Sequence, residues 1–97
     1  PEELHRFFLA CREDGFQPAR RRLRELLDRF GLAGTDLVNQ LHRGLGDVPF
    51  LTEGQKLSVT QTMAEADFRM VEGGGEALQL DAMTARLCTL LSPEMKS

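Results

Sequence analysis

TEGQKLSVTQTMAEADFRMVEGGGEALQLDAMTARLCTLL, residues 52–91, is the stretch on which the fold turns. Thr52-Glu53-Gly54-Gln55 has the form of a capping box, with a hydroxyl residue at the cap and an amide three positions on. It opens the longest helix of the chain, over about residues 53–72, before Gly73-Gly74-Gly75 breaks it. A last helix runs from about Glu76 to Leu91 and stops ahead of Pro93. Both helices are apolar on more than one side. At about 100° per residue, Leu57, Ala64, Phe68 and Val71 line one face of the long helix, and Val59, Met63, Ala66 and Met70 line a second, roughly 130° further round. Lys56, Thr60 and Asp67 fall in the sector between them. In the final helix only Asp81 and Arg86 are charged between Glu76 and Leu91, so that helix is buried on more than one side. It is either the centre of its own domain or the cover of a partner. Monomers rarely leave contiguous apolar patches above a few hundred Å² in water, and two adjacent helices with the same excess favour association.

Upstream the helical period continues. Pro1-Glu2-Glu3 suits the first turn of a helix, where Pro is tolerated and acids meet the dipole. Leu4, Phe7, Phe8 and Cys11 follow at i, i+3, i+4 and i+7. Asp14-Gly15 ends that helix and Pro18 restarts one, with Leu23, Leu26, Leu27 and Phe30 inward. Its outer face pairs Arg21 with Glu25 and Arg24 with Asp28 at i, i+4, and Gly31 closes it. Thr35 or Asp36 is the expected N-cap of a third helix carrying Leu37, Val38, Leu41 and Leu45. Val48-Pro49-Phe50 reads as an extended linker, because the residue before Pro avoids the helical region. No stretch alternates with period two between turn residues, so the expected fold class is all-α: one compact domain of five helices over residues 1–91, with a frayed tail at 92–97.

Composition narrows the function. Ninety-seven residues, 41% hydrophobic and 28% charged, make one ordinary globular domain with a modest core, too small for a core plus a deep substrate cavity. A net charge of −3 does not favour nucleic acid. No apolar run approaches the ~20 residues of a membrane span, and two cysteines 77 positions apart, Cys11 and Cys88, fit a reducing interior better than a disulfide framework. The expectation is an intracellular, cytoplasmic, non-catalytic domain.

The residues that carry chemistry elsewhere support that reading. His5 and His42 stand in no metal-ligand spacing. Cys11 and Cys88 each sit in an apolar stripe, as small core hydrophobes do. Gly73-Gly74-Gly75 follows a helix, lies between Glu72 and Glu76 and lacks the Lys of a phosphate-binding loop; it reads as a structural turn. The Arg20–Arg24 cluster is interleaved with acids and reads as a solvated face. The alternative is a stand-alone helical nucleic-acid-binding domain that uses that face. Asp67, lying between apolar stripes, is the candidate for a buried ion pair.

The string AEADFRMVEGGGEALQLDAMTA at residues 64–85 resembles the C-terminal domain of the replication factor C small subunits, the clamp loaders of archaea and eukaryotes. There a long helix ends in an acid–Gly turn and the last helix begins with a Gln-Leu pair, here Glu72-Gly73 and Gln79-Leu80. Phe16-Gln17-Pro18-Ala19-Arg20, Leu23-Arg24-Glu25-Leu26-Leu27, Gly31 to Asp36 and Gln40-Leu41-His42-Arg43 are similar to the family's second and third helices, in the archaeal style. Gly74-Gly75 and the stretch Asp47–Gly54 depart from the pattern. The resemblance implies a collar domain that holds AAA+ ATPase modules in a pentameric ring, which loads the sliding clamp onto primed DNA. ATP, magnesium, clamp and primer-template DNA would then be met only by the N-terminal domains of a longer parent. The chain's own partners would be other replication factor C subunits, with no membrane and no cofactor. The expected contact surface draws on Met63 and Met70 of the second stripe and on Gln79, Met83, Arg86, Leu87 and Leu90 of the final helix.

Overall fold

A computed structural model describes residues 2–93. Five α-helices follow one another: α1 (Glu2–Glu13), α2 (Phe16–Phe30), α3 (Gly34–Gly44), α4 (Glu53–Val71) and α5 (Glu76–Leu91), with a short 3₁₀ turn over Leu45–Asp47. The radius of gyration is 12.2 Å. A single packed domain of this length should have about 12.5 Å. The expected first-turn Pro1 and most of the expected tail, residues 94–97, lie outside the described residues.

The helix ends mostly follow their local chemistry. Thr52 accepts a hydrogen bond from the Gln55 N–H at 3.1 Å while the Gln55 side chain accepts one from the Thr52 N–H at 2.9 Å, completing the capping box. Gly31 ends α2 in the left-handed conformation at φ 61°. The end of α3 differs. Ala33, not Thr35 or Asp36, is its N-cap, and no side chain of the same segment caps it. The Gly34 N–H instead donates to the Glu76 carboxylate at 2.7 Å, so the first residue of α5 serves the N-terminus of α3 as well as its own. A Cβ on Gly34 would lie 2.8 Å from Glu76 Cγ and 2.9 Å from Met70 Sδ, which is why glycine stands there.

The core is built where the stripes converge. Phe7, Phe8, Leu37, Leu41, Val59, Met63, Leu87 and Leu91 are fully buried. The linker ahead of α4 is pinned: Val48 and Leu51 are buried, Arg12 lies over the Phe50 ring at 5.6 Å, and Lys56 donates to the Gly46 carbonyl at 2.9 Å. One expected surface pair is replaced by a tertiary one. Among the described residues Arg24 does not pair with Asp28. Arg20 Nε and Arg24 Nη2 both reach Asp81 Oδ1, at 3.1 and 3.2 Å, and tie α2 to α5. No helix among the described residues is long and apolar enough to cross a membrane.

Candidate subunit interface

α4 and α5 are joined by Glu72–Gly75 and pack against each other along their length. Gly73 takes φ 101°, a conformation that disfavours a side chain. The Gly73 N–H donates to the Met70 carbonyl at 3.2 Å and the Gly74 N–H to the Arg69 carbonyl at 2.8 Å. These amides close the helix C-terminus, so they are not free to cradle a phosphate. A Cβ on Gly74 would sit 2.9 Å from the Arg69 backbone oxygen. The glycines thus act as the structural turn read from the sequence.

Side by side, the two helices leave an open groove of about 750 Å³. Ala66, Met83 and Leu90 line it together with Arg69 from α4 and Gln79 and Arg86 from α5. Of the exposed large hydrophobic side chains on the two helices, Leu78 lines it. Leu57, Phe68, Val71 and Leu78 are 63–68% exposed, which is unusual for four large hydrophobic side chains on two consecutive helices.

This arrangement corrects the choice of stripe. Met63, Met83 and Leu87, expected at a subunit contact, are 1%, 2% and 0% exposed and belong to the domain's own core, so they cannot also meet a partner. Met70 is half-buried against that core, beside Gly34. Gln79 and Leu90 are half-buried and Arg86 exposed, all three along the groove. The residues that remain available are Leu57, Phe68, Val71 and Leu78. The first three were visible as a stripe; nothing in the sequence said which of two equally apolar stripes would face out. Asp67 also departs from expectation. It is half-buried, and among the described residues no cation lies within ion-pair distance of it; Asp81 holds that role.

The hydroxyls have local partners. Those of Thr60, Thr62, Thr84 and Thr89 each donate to the carbonyl four residues earlier, at 2.8–3.2 Å. Cys11 is buried on α1, and Cys88, half-buried on α5, is its neighbour across the contact between those helices. A hydrogen bond between the thiols, with burial and the nearby Cys88 charge, pushes Cys11 far above the usual thiol range, and the same hydrogen bond holds Cys88 below it.

Residues 1–86 match the family model for the replication factor C C-terminal domain. The chain is 35% identical over 86 residues to the replication factor C small subunit of Thermococcus kodakarensis, covering 89% of the chain and 10% of that protein. It is 36% identical over 90 residues to that of Archaeoglobus fulgidus, covering 93% of the chain and 28% of the relative. With Natronomonas pharaonis the figures are 36% over 87 residues, 90% of the chain and 26% of the relative. The chain therefore spans between a tenth and somewhat over a quarter of these curated relatives.

Proposed function

The chain belongs to the replication factor C C-terminal domain family of DNA-replication clamp loaders, and on that premise we propose that it is a non-catalytic assembly domain that meets sister subunits through the outer face of α4 and α5. The single observation that carries the reading is the exposure of four large hydrophobic side chains, Leu57, Phe68, Val71 and Leu78, on α4 and the start of α5. At 1.5 Å per residue the 19 residues of α4 make a face about 28 Å long, and two helices abreast are roughly 18–20 Å wide. That is of the order needed for a stable contact, about 800 Å² per partner.

The finer picture follows the family. Five such domains close a collar from which AAA+ ATPase modules hang. ATP and magnesium are held by those modules in the parent, as are contacts with the sliding clamp and primer-template DNA. A ring built head to tail needs two different patches on each subunit. Phe30, half-exposed under Arg29 at the end of α2, offers an apolar anchor for the second. The nucleic-acid alternative loses ground, because Arg20 and Arg24 already share Asp81.

Sedimentation velocity of the chain, alone and mixed with a full-length archaeal small subunit, tests the reading. Phe68→Asp and Leu78→Asp should weaken association at least tenfold and leave the helical circular dichroism and Tm near wild type. A chain that stays monomeric and ignores the full-length subunit, or association indifferent to both substitutions, overturns it.

A further inference from the structure

The exposed side of α4 is patterned as well as apolar. Leu57, Gln61, Ala64, Phe68 and Val71, all exposed, follow at spacings of four, three, four and three. That is the seam of a coiled coil, here about 21 Å long. Four of the five are apolar, and the polar Gln61 stands where such a residue fixes register. The positions beside a seam, whose charges choose the partner helix, hold Ser58, Glu65 and Glu72 on one side and Thr60 and Asp67 on the other. Every charged residue among them is an acid. The nearest bases are engaged within the chain: Arg69, further round the helix, faces Glu65 at 3.8 Å, and Lys56 donates to the Gly46 carbonyl. Asp67 is half-buried at the edge of the seam, and among the described residues no cation lies within ion-pair distance of it. We propose that α4 is one half of an intermolecular helix pair, and that the half it lacks is a single helix of a sister subunit, apolar at heptad spacing and carrying Lys or Arg at the flanking positions.

This rests on the assembly reading and adds the chemistry of the partner. Charge excludes the simplest occupant, a second copy of α4. In either orientation of such a pair the flanking positions of one helix meet those of the other, and Glu65, Asp67 and Glu72 would face acids only. A basic flank reverses the sign of every one of those contacts. Glu65 and Glu72 stand three before and four after Phe68, so they bracket the largest side chain of the seam on the helix surface. A base beside Asp67 supplies the counter-charge that its own chain does not, at a site less screened by salt than open surface. The seam then provides the buried area and the flanks decide which helix is accepted.

Two labelled three-heptad peptides, both with Leu along the seam and with either Lys or Glu beside it, are the probes, and fluorescence anisotropy is the readout. The Lys peptide should bind the chain roughly tenfold or more tighter than the Glu peptide, with the difference shrinking as salt rises. Glu65→Lys/Asp67→Lys/Glu72→Lys should reverse the order; should reversal cost the fold, the neutral Glu65→Gln/Asp67→Asn/Glu72→Gln should erase the preference. Phe68→Asp adds an acid, so a bare attraction between net charges would grow, whereas docking on the seam would be lost. In sedimentation velocity with the full-length archaeal small subunit, both charge variants should weaken association as Phe68→Asp does. Equal affinity for the two peptides, no binding of either, or tighter binding of the Lys peptide by Phe68→Asp overturns the proposal. Association with the full-length subunit that Phe68→Asp breaks and both charge variants leave intact also overturns it, while the assembly reading stands. A chain that takes the Lys peptide and ignores the full-length subunit overturns the sister subunit as partner, and the assembly reading with it.

Discussion

Replacing Gly34 with Ala should destabilise the domain, although the same change at an ordinary helix start stabilises one. Alanine in place of glycine narrows the unfolded ensemble and gains about 0.4–1 kcal/mol where the backbone accepts it. Gly34 has no positive φ, so the backbone does accept it. The space does not: the new Cβ would stand 2.8 Å from Glu76 Cγ, 2.9 Å from Met70 Sδ and 3.0 Å from Glu76 Cδ. The Glu76 side chain is flexible and would move, but moving it breaks the bond its carboxylate accepts from the Gly34 N–H at 2.7 Å. A hydrogen bond to a charged group contributes about 1.5–3 kcal/mol, and Gly34 is buried, so its N–H has little water to turn to. The difference is a net loss of about 1–2 kcal/mol, or roughly 5–10 °C in Tm for a domain of this size. Urea unfolding followed by circular dichroism measures it. In a Glu76→Ala background the cap is already gone and only the Met70 contact remains, so the loss from Gly34→Ala should shrink; the cycle isolates the coupling. A Gly34→Ala protein more stable than wild type, or equal losses in both backgrounds, refutes the reasoning.

Four further substitutions probe other parts of the design. Leu87→Ala, at a fully buried position once expected at an interface, should cost about 2.5–5 kcal/mol in urea unfolding; a loss below 1 kcal/mol would put that side chain outside the core. Asp81→Asn leaves Arg20 and Arg24 without their shared carboxylate, but the pair is a third or more exposed on the arginine side, so the expected loss is only about 1 kcal/mol and should shrink with added salt. Thr52→Ala removes the hydroxyl that accepts from the Gln55 N–H, leaving only the Thr52 N–H bond to the Gln55 side chain, and should cost about 1 kcal/mol; Thr52→Ser should restore most of it. Asp67→Leu takes away a half-buried acid that has no cation beside it among the described residues, so stability should hold or rise while solubility falls; a loss above 1 kcal/mol would mean Asp67 has a stabilising partner after all.

What could be read from the sequence divides along a physical line. Helix existence and most helix ends depend on near neighbours: the capping box at Thr52, the left-handed Gly31 and the break at Gly73 all follow from residues within a turn. The α3 N-terminus was misread because its cap comes from Glu76, 42 positions away, and no local signal announces it. The Arg24–Asp28 pair was misread for the same reason, since Asp81 of α5 lies nearer to Arg24 in space. The excess of apolar surface on the last two helices was legible, but its location was not. Leu57–Ala64–Phe68–Val71 and Val59–Met63–Ala66–Met70 are stripes of similar size on one helix, and periodicity measures only that each exists.

The choice between those stripes is made at the ends of α4 rather than along its sides. If apolar burial alone set the rotation of the helix, turning it by roughly 130° would exchange one stripe for the other at little cost. Polar and steric anchors forbid the turn. Near the N-terminus, Lys56 holds the Gly46 carbonyl and the Thr52–Gln55 box fixes the entry of the chain. At the C-terminus, Met70 lies against Gly34, where only a glycine leaves room, and Gly73 and Gly74 close the last turn. Each anchor is worth about 1 kcal/mol, less than the stripe it orients, but their directions agree, and agreement among small directional terms is what separates two nearly equivalent packings. It follows that folding and assembly can draw on one helix without competing. The anchors commit Val59, Met63 and Ala66 to the core, and for that reason Leu57, Phe68 and Val71 remain outside, free for a neighbour.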